Sequence, residues 1–216
     1  PLGKYKVTKE QIDKSIDLAV QLKVDGFVGP DNMLDILHEK LREHDWCKNI
    51  KMISTFGSRM SKNRILTLEK SFPNAQINIL YSTTELQGIS GIPALNSSNP
   101  SEFSPTNNRY FELLDDNDQP LTKEGDEGEL VITTLYESNI ATPMIRYRTG
   151  DLAILIKNSE RESEKIYEIL GRKKLDSFYL PSGVVHLSEV ERVLESYNSP
   201  LVDNFQIHVS TTDVDG

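Results

Sequence analysis

Three short stretches carry residues whose types and order can do chemistry: Tyr81-Ser82-Thr83-Thr84-Glu85, Tyr147-Arg148-Thr149-Gly150-Asp151 and Gly171-Arg172. Hydroxyls beside a carboxylate, as at Thr83, Thr84 and Glu85, bind phosphate oxygens and hold Mg²⁺ through oxygen ligands. Asp151 follows a Thr-Gly turn and can accept two hydrogen bonds from a ribose diol, as acidic residues do in other nucleotide sites. Arg172 offers a planar guanidinium fork for phosphate or ribose oxygens. Taken singly, these are an ordinary polar loop, an ordinary turn and a surface arginine. Taken in order, they are the parts of a nucleotide-phosphate site.

The elements that must position them alternate between helix and strand over the first 85 residues. Thr8-Lys9-Glu10-Gln11 reads as a capping box ahead of Ile12, Ile16 and Ala19 at helical spacing. Asp25 to Gly29 reads as a strand, Met33, Leu34, Leu37 and Leu41 as a helix, and Ile50 to Thr55 as a buried strand. Met60 to Phe72 reads as a helix ended by Pro73, and Gln76 to Tyr81 as the next strand. This alternation predicts parallel strands with crossover helices, and ligands of such sheets bind beyond the carboxyl ends of the strands. Two of those ends are Phe56-Gly57-Ser58-Arg59 and Ser82-Thr83-Thr84-Glu85.

Residues 86–109 read as a loop rich in Ser, Asn and Pro. Short strands separated by turn signals follow at 110–114, 129–135, 151–156 and 165–170, which predicts an antiparallel subdomain. After Gly171 a helix is expected over 187–197 and a last strand over 205–209. The expected class is therefore α/β: a parallel βαβ portion (1–109), an antiparallel β subdomain (110–170) and a partial α+β unit (171–216).

Composition narrows the function. The chain has 216 residues, 37% hydrophobic and 26% charged, which fits a soluble globular class. With 24 basic and 33 acidic residues the net charge is −9, which argues against a nucleic-acid partner. No apolar run approaches the roughly 20 residues of a membrane helix. Cys47 is the only cysteine, so no intrachain disulfide forms, and a reducing, cytoplasmic location is expected. Asp115-Asp116-Asn117-Asp118 lacks the glycine that a calcium loop needs at position six, and reads as a hairpin turn. Gly88-Ile89-Ser90-Gly91 has its second glycine one place early for a hydrolase elbow, and the four histidines have no metal-ligand spacing.

The ordered set resembles one family. Tyr81–Glu85 is similar to the Tyr-Gly-x-Thr-Glu motif of the adenylate-forming superfamily of acyl- and aryl-CoA ligases, luciferases and peptide-synthetase adenylation domains. Gly128 to Leu135 resembles a segment that follows it there. Ala141 to Asp151 is the closest match, and looks most like the phenylacetate–CoA ligase and capsule-biosynthesis branch. Leu170-Gly171-Arg172 resembles the entry to the mobile C-terminal domain of that family, and Ser188 to Glu191 its first helix.

The resemblance implies a carboxylic acid attacking the α-phosphate of ATP, with Mg²⁺, to give acyl-AMP and pyrophosphate. The acyl group then passes to a thiol, CoA or another carrier. It implies that Thr84 contacts the α-phosphate and the acyl carboxylate, that Glu85 holds the metal, and that Tyr81 stacks on adenine. Gly57, Ser58 and Arg59 would line the adenine pocket, Ile169 would be an apolar wall, Asp151 would hold the ribose and Arg172 would reach ribose or phosphate. Lys174 would be the hinge, with Asp176 as the other candidate.

The chain also departs from the family. Ser82 replaces the usual glycine, Arg59 stands where proline is frequent, and one residue is inserted after Gly171-Arg172. No segment resembles the family's Gly/Ser/Thr-rich phosphate loop, and its C-terminal catalytic lysine has no counterpart. The expectation is a part of a longer ligase, inactive by itself. The alternative is a degenerate adenylation domain that binds nucleotide or protein without catalysis.

Overall fold

The computed structural model describes residues 8–31, 33–34, 38, 41, 44–57, 60, 62–95, 97, 99–135, 143–173, 177–180, 183–186, 189–190 and 193–194. Thr8 caps the first helix, α1 (Lys9–Gln21), through the expected box. Its hydroxyl accepts from the Gln11 N–H at 3.3 Å, and its own N–H donates to Gln11 Oε1 at 2.8 Å. The apolar stripe of α1 turns Ile16 into a core, with Ile12, Ala19 and Val20 against it.

Strands β1 (Gly26–Pro30), β2 (Met52–Phe56) and β3 (Gln76–Ile79) pair in parallel in the order β1-β2-β3. Parallel neighbours require a crossover. Helix α2 (Lys62–Ser71) supplies it between β2 and β3, burying Ile65 and Leu68. Met33, Leu34, His38 and Leu41 are helical as expected, while Leu37 lies outside the described residues. Leu41, Trp46, Ile50, Ile53, Phe72 and Ile77 complete this first core. Cys47 is buried there, its thiol donates to the Leu41 carbonyl and burial pushes its pKa up, as befits a packing residue.

The strand expected over Gln76–Tyr81 is two strands in two sheets. β3 stops at Ile79, Leu80 donates its N–H to the Thr55 carbonyl at 2.7 Å, and β4 (Tyr81–Thr83) joins an antiparallel sheet. That sheet contains β5 (Gly88–Pro93), β6 (Glu102–Pro105), β7 (Arg109–Leu114), β8 (Pro120–Leu121), β9 (Glu127–Thr134), β10 (Tyr147–Lys157) and β11 (Ile166–Arg172). Its order is β4-β5-β6-β11-β10-β9-β7-β8. Leu86, Phe103, Phe111, Leu130, Ile132 and Tyr167 are buried in its own core.

β5 and β6 occupy the stretch expected to be loop. The reason is steric. Gly and Pro are poor strand formers by type, yet Ser90 and Gly91 are buried in β5, and at Gly91 the space admits no side chain. A Cβ on Gly91 would lie 2.4 Å from Phe103 Cδ2 and 3.1 Å from Tyr81 Cβ. Beyond β11, β12 (Ser177–Leu180) and β13 (Gly183–His186) form a hairpin. Glu189, Val190, Val193 and Leu194 are helical, in line with the helix expected there, and the strand expected over 205–209 lies outside the described residues.

Gly91→Ala is expected to destabilise the fold by about 1–3 kcal/mol through overpacking against Phe103. Gly29, where an added Cβ meets nothing within 4 Å, is the control. Urea denaturation of both variants beside the parent checks this, and equal midpoints for all three would contradict it.

Candidate nucleotide site

Asp151 is the best-defined group of the site, and two strands build its position. β10 slips register against β9 between Arg148 and Leu152. Gly150 lies in this irregular stretch with φ +75°, a conformation that glycine adopts freely. Thr149 fastens the turn. Its hydroxyl donates to the Leu130 carbonyl at 2.7 Å and accepts from the Asp151 N–H at 3.1 Å. On the other side, the β10–β11 register sets Asp151 opposite Arg172. Arg172 Nε forms an ion pair with Asp151 Oδ1 at 3.1 Å, and the Tyr81 hydroxyl donates to Oδ2 at 2.7 Å. Asp151 is only 6% exposed, so both of its oxygens are engaged inside the protein.

Tyr81 is held in turn by an aromatic bed. Its ring stacks on Phe103 with centroids 5.1 Å apart and planes 18° from parallel, and Phe111 meets it edge-on at 6.2 Å. One face of Tyr81 is therefore covered by Phe103. This seat exists because β4 left the parallel sheet, which brings Tyr81 across from Gly91 in the β4–β5 register.

These residues line a cavity of about 290 Å³. Of the residues picked out by sequence, Gly57, Tyr81, Ser82, Asp151, Ile169 and Arg172 all line it. Gly57 does so with φ +117°, at the end of β2. Ser58, Arg59, Lys174 and Asp176 lie outside the described residues.

Thr83, Thr84 and Glu85 are not among the lining residues. Thr83 ends β4, and Thr84 and Glu85 start the turn that leaves it. Thr83 Oγ1 accepts from the Leu86 N–H at 3.3 Å, and the Thr84 carbonyl accepts from the Gln87 N–H at 3.1 Å. Thr84 and Glu85 are exposed, and the Glu85 carboxylate faces the Tyr147 phenol. Burial first, and then the Glu85 charge, push the Tyr147 phenol upward.

Two residues of this neighbourhood escaped the sequence reading as site residues. Tyr147 stood in the Tyr-Arg-Thr-Gly-Asp motif, four places before Asp151, and its position there was the available signal. Phe103 lies in a Ser/Asn/Pro-rich stretch that gives no sign of an inward aromatic.

A second group of charges closes the end of β11. Arg148 donates to Glu129 at 2.6 Å and to Asp118, while Lys173 lies 2.7 Å from Asp116 and 3.6 Å from Glu129. The Arg148 hydrogen bond, chiefly, holds the buried Glu129 carboxyl below its usual value. Lys173 also gives its backbone N–H to the Gly150 carbonyl at 2.8 Å. Side chain and backbone thus pin the chain where it leaves the sheet.

The Tyr81 phenol is raised well above its ordinary value, first by burial and then by the charge of Asp151. A raised acid keeps its proton in the folded chain after the unfolded chain has begun to lose it, near pH 10. Stability is therefore complete below about pH 10 and falls as pH climbs beyond it. Tyr81→Phe is expected to shrink the loss between pH 8 and pH 11 by about 1 kcal/mol. Tyr167, raised by burial too, retains its own part of the loss. Urea midpoints of parent and variant at the two pH values measure the difference, and an identical alkaline loss in both would rule it out.

The chain is similar to known proteins in sequence and in fold. The chain is 27% identical over 164 residues to a phenylacetate–coenzyme A ligase of Aromatoleum evansii, covering 75% of this chain and 37% of that protein. It is 32% identical over 102 residues to the phenylacetate–coenzyme A ligase of Escherichia coli K12, covering 47% of this chain and 22% of that protein. The matched region thus spans little more than a third of these relatives at most. No protein-family model matches the chain. Among solved structures, a 2-hydroxyisobutyryl-CoA ligase in complex with 2-HIB-AMP and CoA superposes with a TM-score of 0.67 at 20% identity, covering 88% of this chain and 46% of that one. An anthranilate CoA ligase in complex with anthranoyl-AMP superposes with a TM-score of 0.63 at 13% identity, covering 86% and 36%. The chain is thus similar in sequence to phenylacetate–coenzyme A ligases and shares its fold with other CoA ligases.

Proposed function

We propose that the intact protein activates a small carboxylic acid with ATP and passes the acyl group to a thiol, with CoA as the acceptor. The observation that carries this reading is the Asp151 carboxylate, buried beside the cavity and gripped by Tyr81 and Arg172. Similarity to proteins named as CoA ligases supports the acid and thiol parts.

The cavity residues fit a nucleoside. The face of Tyr81 turned away from Phe103 suits an adenine, with Ile169 as an apolar neighbour and Gly57 on the same lining. Asp151 suits a ribose diol, since two hydroxyls can take over the hydrogen bonds that Tyr81 and Arg172 now give. Arg172, released, can turn its donors to ribose or phosphate oxygens. Phosphates would extend toward the Thr84–Glu85 turn. Among the described residues no three acidic, His or Cys side chains could hold a metal together. Mg²⁺ carried on phosphates needs only one or two carboxylates, and the exposed Glu85 meets that need.

In the first half-reaction an oxygen of the substrate carboxylate bonds to the α-phosphorus, and the bond from that phosphorus to the bridging oxygen breaks to release pyrophosphate. ATP supplies the electrophile. Thr84 would donate to the developing negative charge, and Glu85 would hold Mg²⁺, which would supply the positive charge that offsets it. We further read residues 1–170 as belonging to the large adenylation domain and 171–216 to a mobile one, with the hinge at Lys174. The pinning of Lys173 by Asp116, Glu129 and Gly150 supports a fixed boundary immediately before it.

Pyrophosphate exchange by the intact protein across a panel of carboxylic acids tests the proposal. Exchange with at least one acid is expected. Asp151→Asn is expected to weaken nucleotide binding by roughly 10–100-fold, the worth of charge-assisted hydrogen bonds to the ribose. No exchange with any acid, alongside measurable AMP binding, would instead mark a binding module without catalysis.

A further inference from the structure

β7 opens with a buried cation that the chemistry above does not use. Arg109 is 3% exposed. Its Nη2 donates to the Leu86 carbonyl at 2.8 Å, its Nη1 to the Asn108 carbonyl at 3.1 Å and its Nε to Ser90 Oγ at 3.4 Å. All three acceptors are neutral, and among the described residues no carboxylate pairs with it. An arginine stays protonated in proteins. A buried charge without a counter-ion is costly, so these three bonds are what compensates it.

Their placement is specific. In the strand order β5 and β7 are separated by β6, β11, β10 and β9. Arg109 nevertheless reaches from the start of β7 to Ser90 on β5 and to Leu86 in the turn before it. It therefore ties the two flanks of a curled sheet at the foot of one turn. Leu86 is that foot. Its side chain is fully buried in the antiparallel core, its N–H bonds Thr83 Oγ1 and its carbonyl takes the guanidinium. Gln87, next along, has φ +55° and closes the turn onto the Thr84 carbonyl. Thr84 and Glu85 project into solvent between these anchors.

We propose that Arg109 is a positioning residue for the Thr84–Glu85 turn, setting where phosphate oxygens and their Mg²⁺ meet the chain. This rests on the function proposed above. Arg109 touches neither substrate nor metal. It acts through the Leu86 carbonyl, and it leaves the Tyr81–Asp151–Arg172 group alone.

Two readouts on the intact protein test it. Amide hydrogen exchange in Arg109→Met should quicken at Leu86 and Gln87 by roughly tenfold or more, the scale of one lost charge-assisted hydrogen bond, with helix α2 unchanged. In pyrophosphate exchange, the Mg²⁺ concentration for half-maximal rate should rise by roughly tenfold while AMP affinity stays within about twofold. Arg109→Lys keeps the charge but not the fork, and should lie between parent and Arg109→Met on both scales. If Arg109→Met does not fold, Arg109→Lys is read alone: a faster turn and a weaker Mg²⁺ response support the proposal. Unchanged amide rates at Leu86 and Gln87 in a folded variant overturn it. Loosened amides with an unchanged Mg²⁺ response overturn it as well, because the turn is then held for stability alone. If the parent exchanges no pyrophosphate with any acid, the functional reading fails, and the amide rates still decide whether Arg109 holds the turn.

Discussion

A carboxylate removed from water must be answered by donors, and the antiparallel half of this protein is arranged around that demand at Asp151. Its donors come from distant parts of the chain, Tyr81 on β4 and Arg172 on β11. The register slip in β10 and the left-handed Gly150 set the backbone from which Asp151 projects. Tyr81 can reach it only because Phe103 backs its ring, and Phe103 fits only because position 91 has no side chain. One buried charge thus couples a strand pairing, a turn, an aromatic stack and a glycine. A ligand with a vicinal diol finds an acceptor already oriented, and must compete with donors already in place.

The division between what sequence revealed and what it hid follows the range of the interactions. The capping box at Thr8, the βαβ alternation and most of the strands after 109 rest on neighbours close in the chain, and they are as the periodicity predicts. Tyr81, Asp151 and Arg172 were legible because their order matched a known pattern, and the fold brings all three to one cavity. The sheet change at Leu80 was not legible. Gln76 to Tyr81 is uniformly strand-like, and only the tertiary placement of Gly91 and Phe103 draws Tyr81 away. β5 and β6 were hidden for the same reason, since Gly, Ser and Pro in buried places look like loop until the space around them is known. Arg109 gave no signal either, because its acceptors are backbone carbonyls and a serine far from it in strand order.

The candidate site therefore has two parts of different character. The part that suits a nucleoside is a half-open cavity, apolar on several sides and braced by the buried Tyr81–Asp151 hydrogen bond. The part that suits phosphate is a turn open to solvent, braced from below. The burial of Asp151 favours recognition of a polar ligand there, because hydrogen bonds strengthen where water is excluded. Openness leaves the turn within reach of a ligand from solvent. The pinned end of β11 borders the first part, so the fixed frame of the site extends as far as Lys173.

Leu80 stands between residues that belong to different sheets: Ile79 pairs within the parallel one and Tyr81 within the antiparallel one, and all three line the cavity. The cavity wall is thus a seam. A sliding of one sheet against the other by a fraction of an ångström cannot be absorbed by a flexible linker, because a single residue joins them and its N–H is bonded to Thr55. The displacement would instead change the width of the pocket at Tyr81. Occupancy of the pocket and the relative setting of the two sheets are in this way mechanically geared to each other, with Leu80 as the tooth.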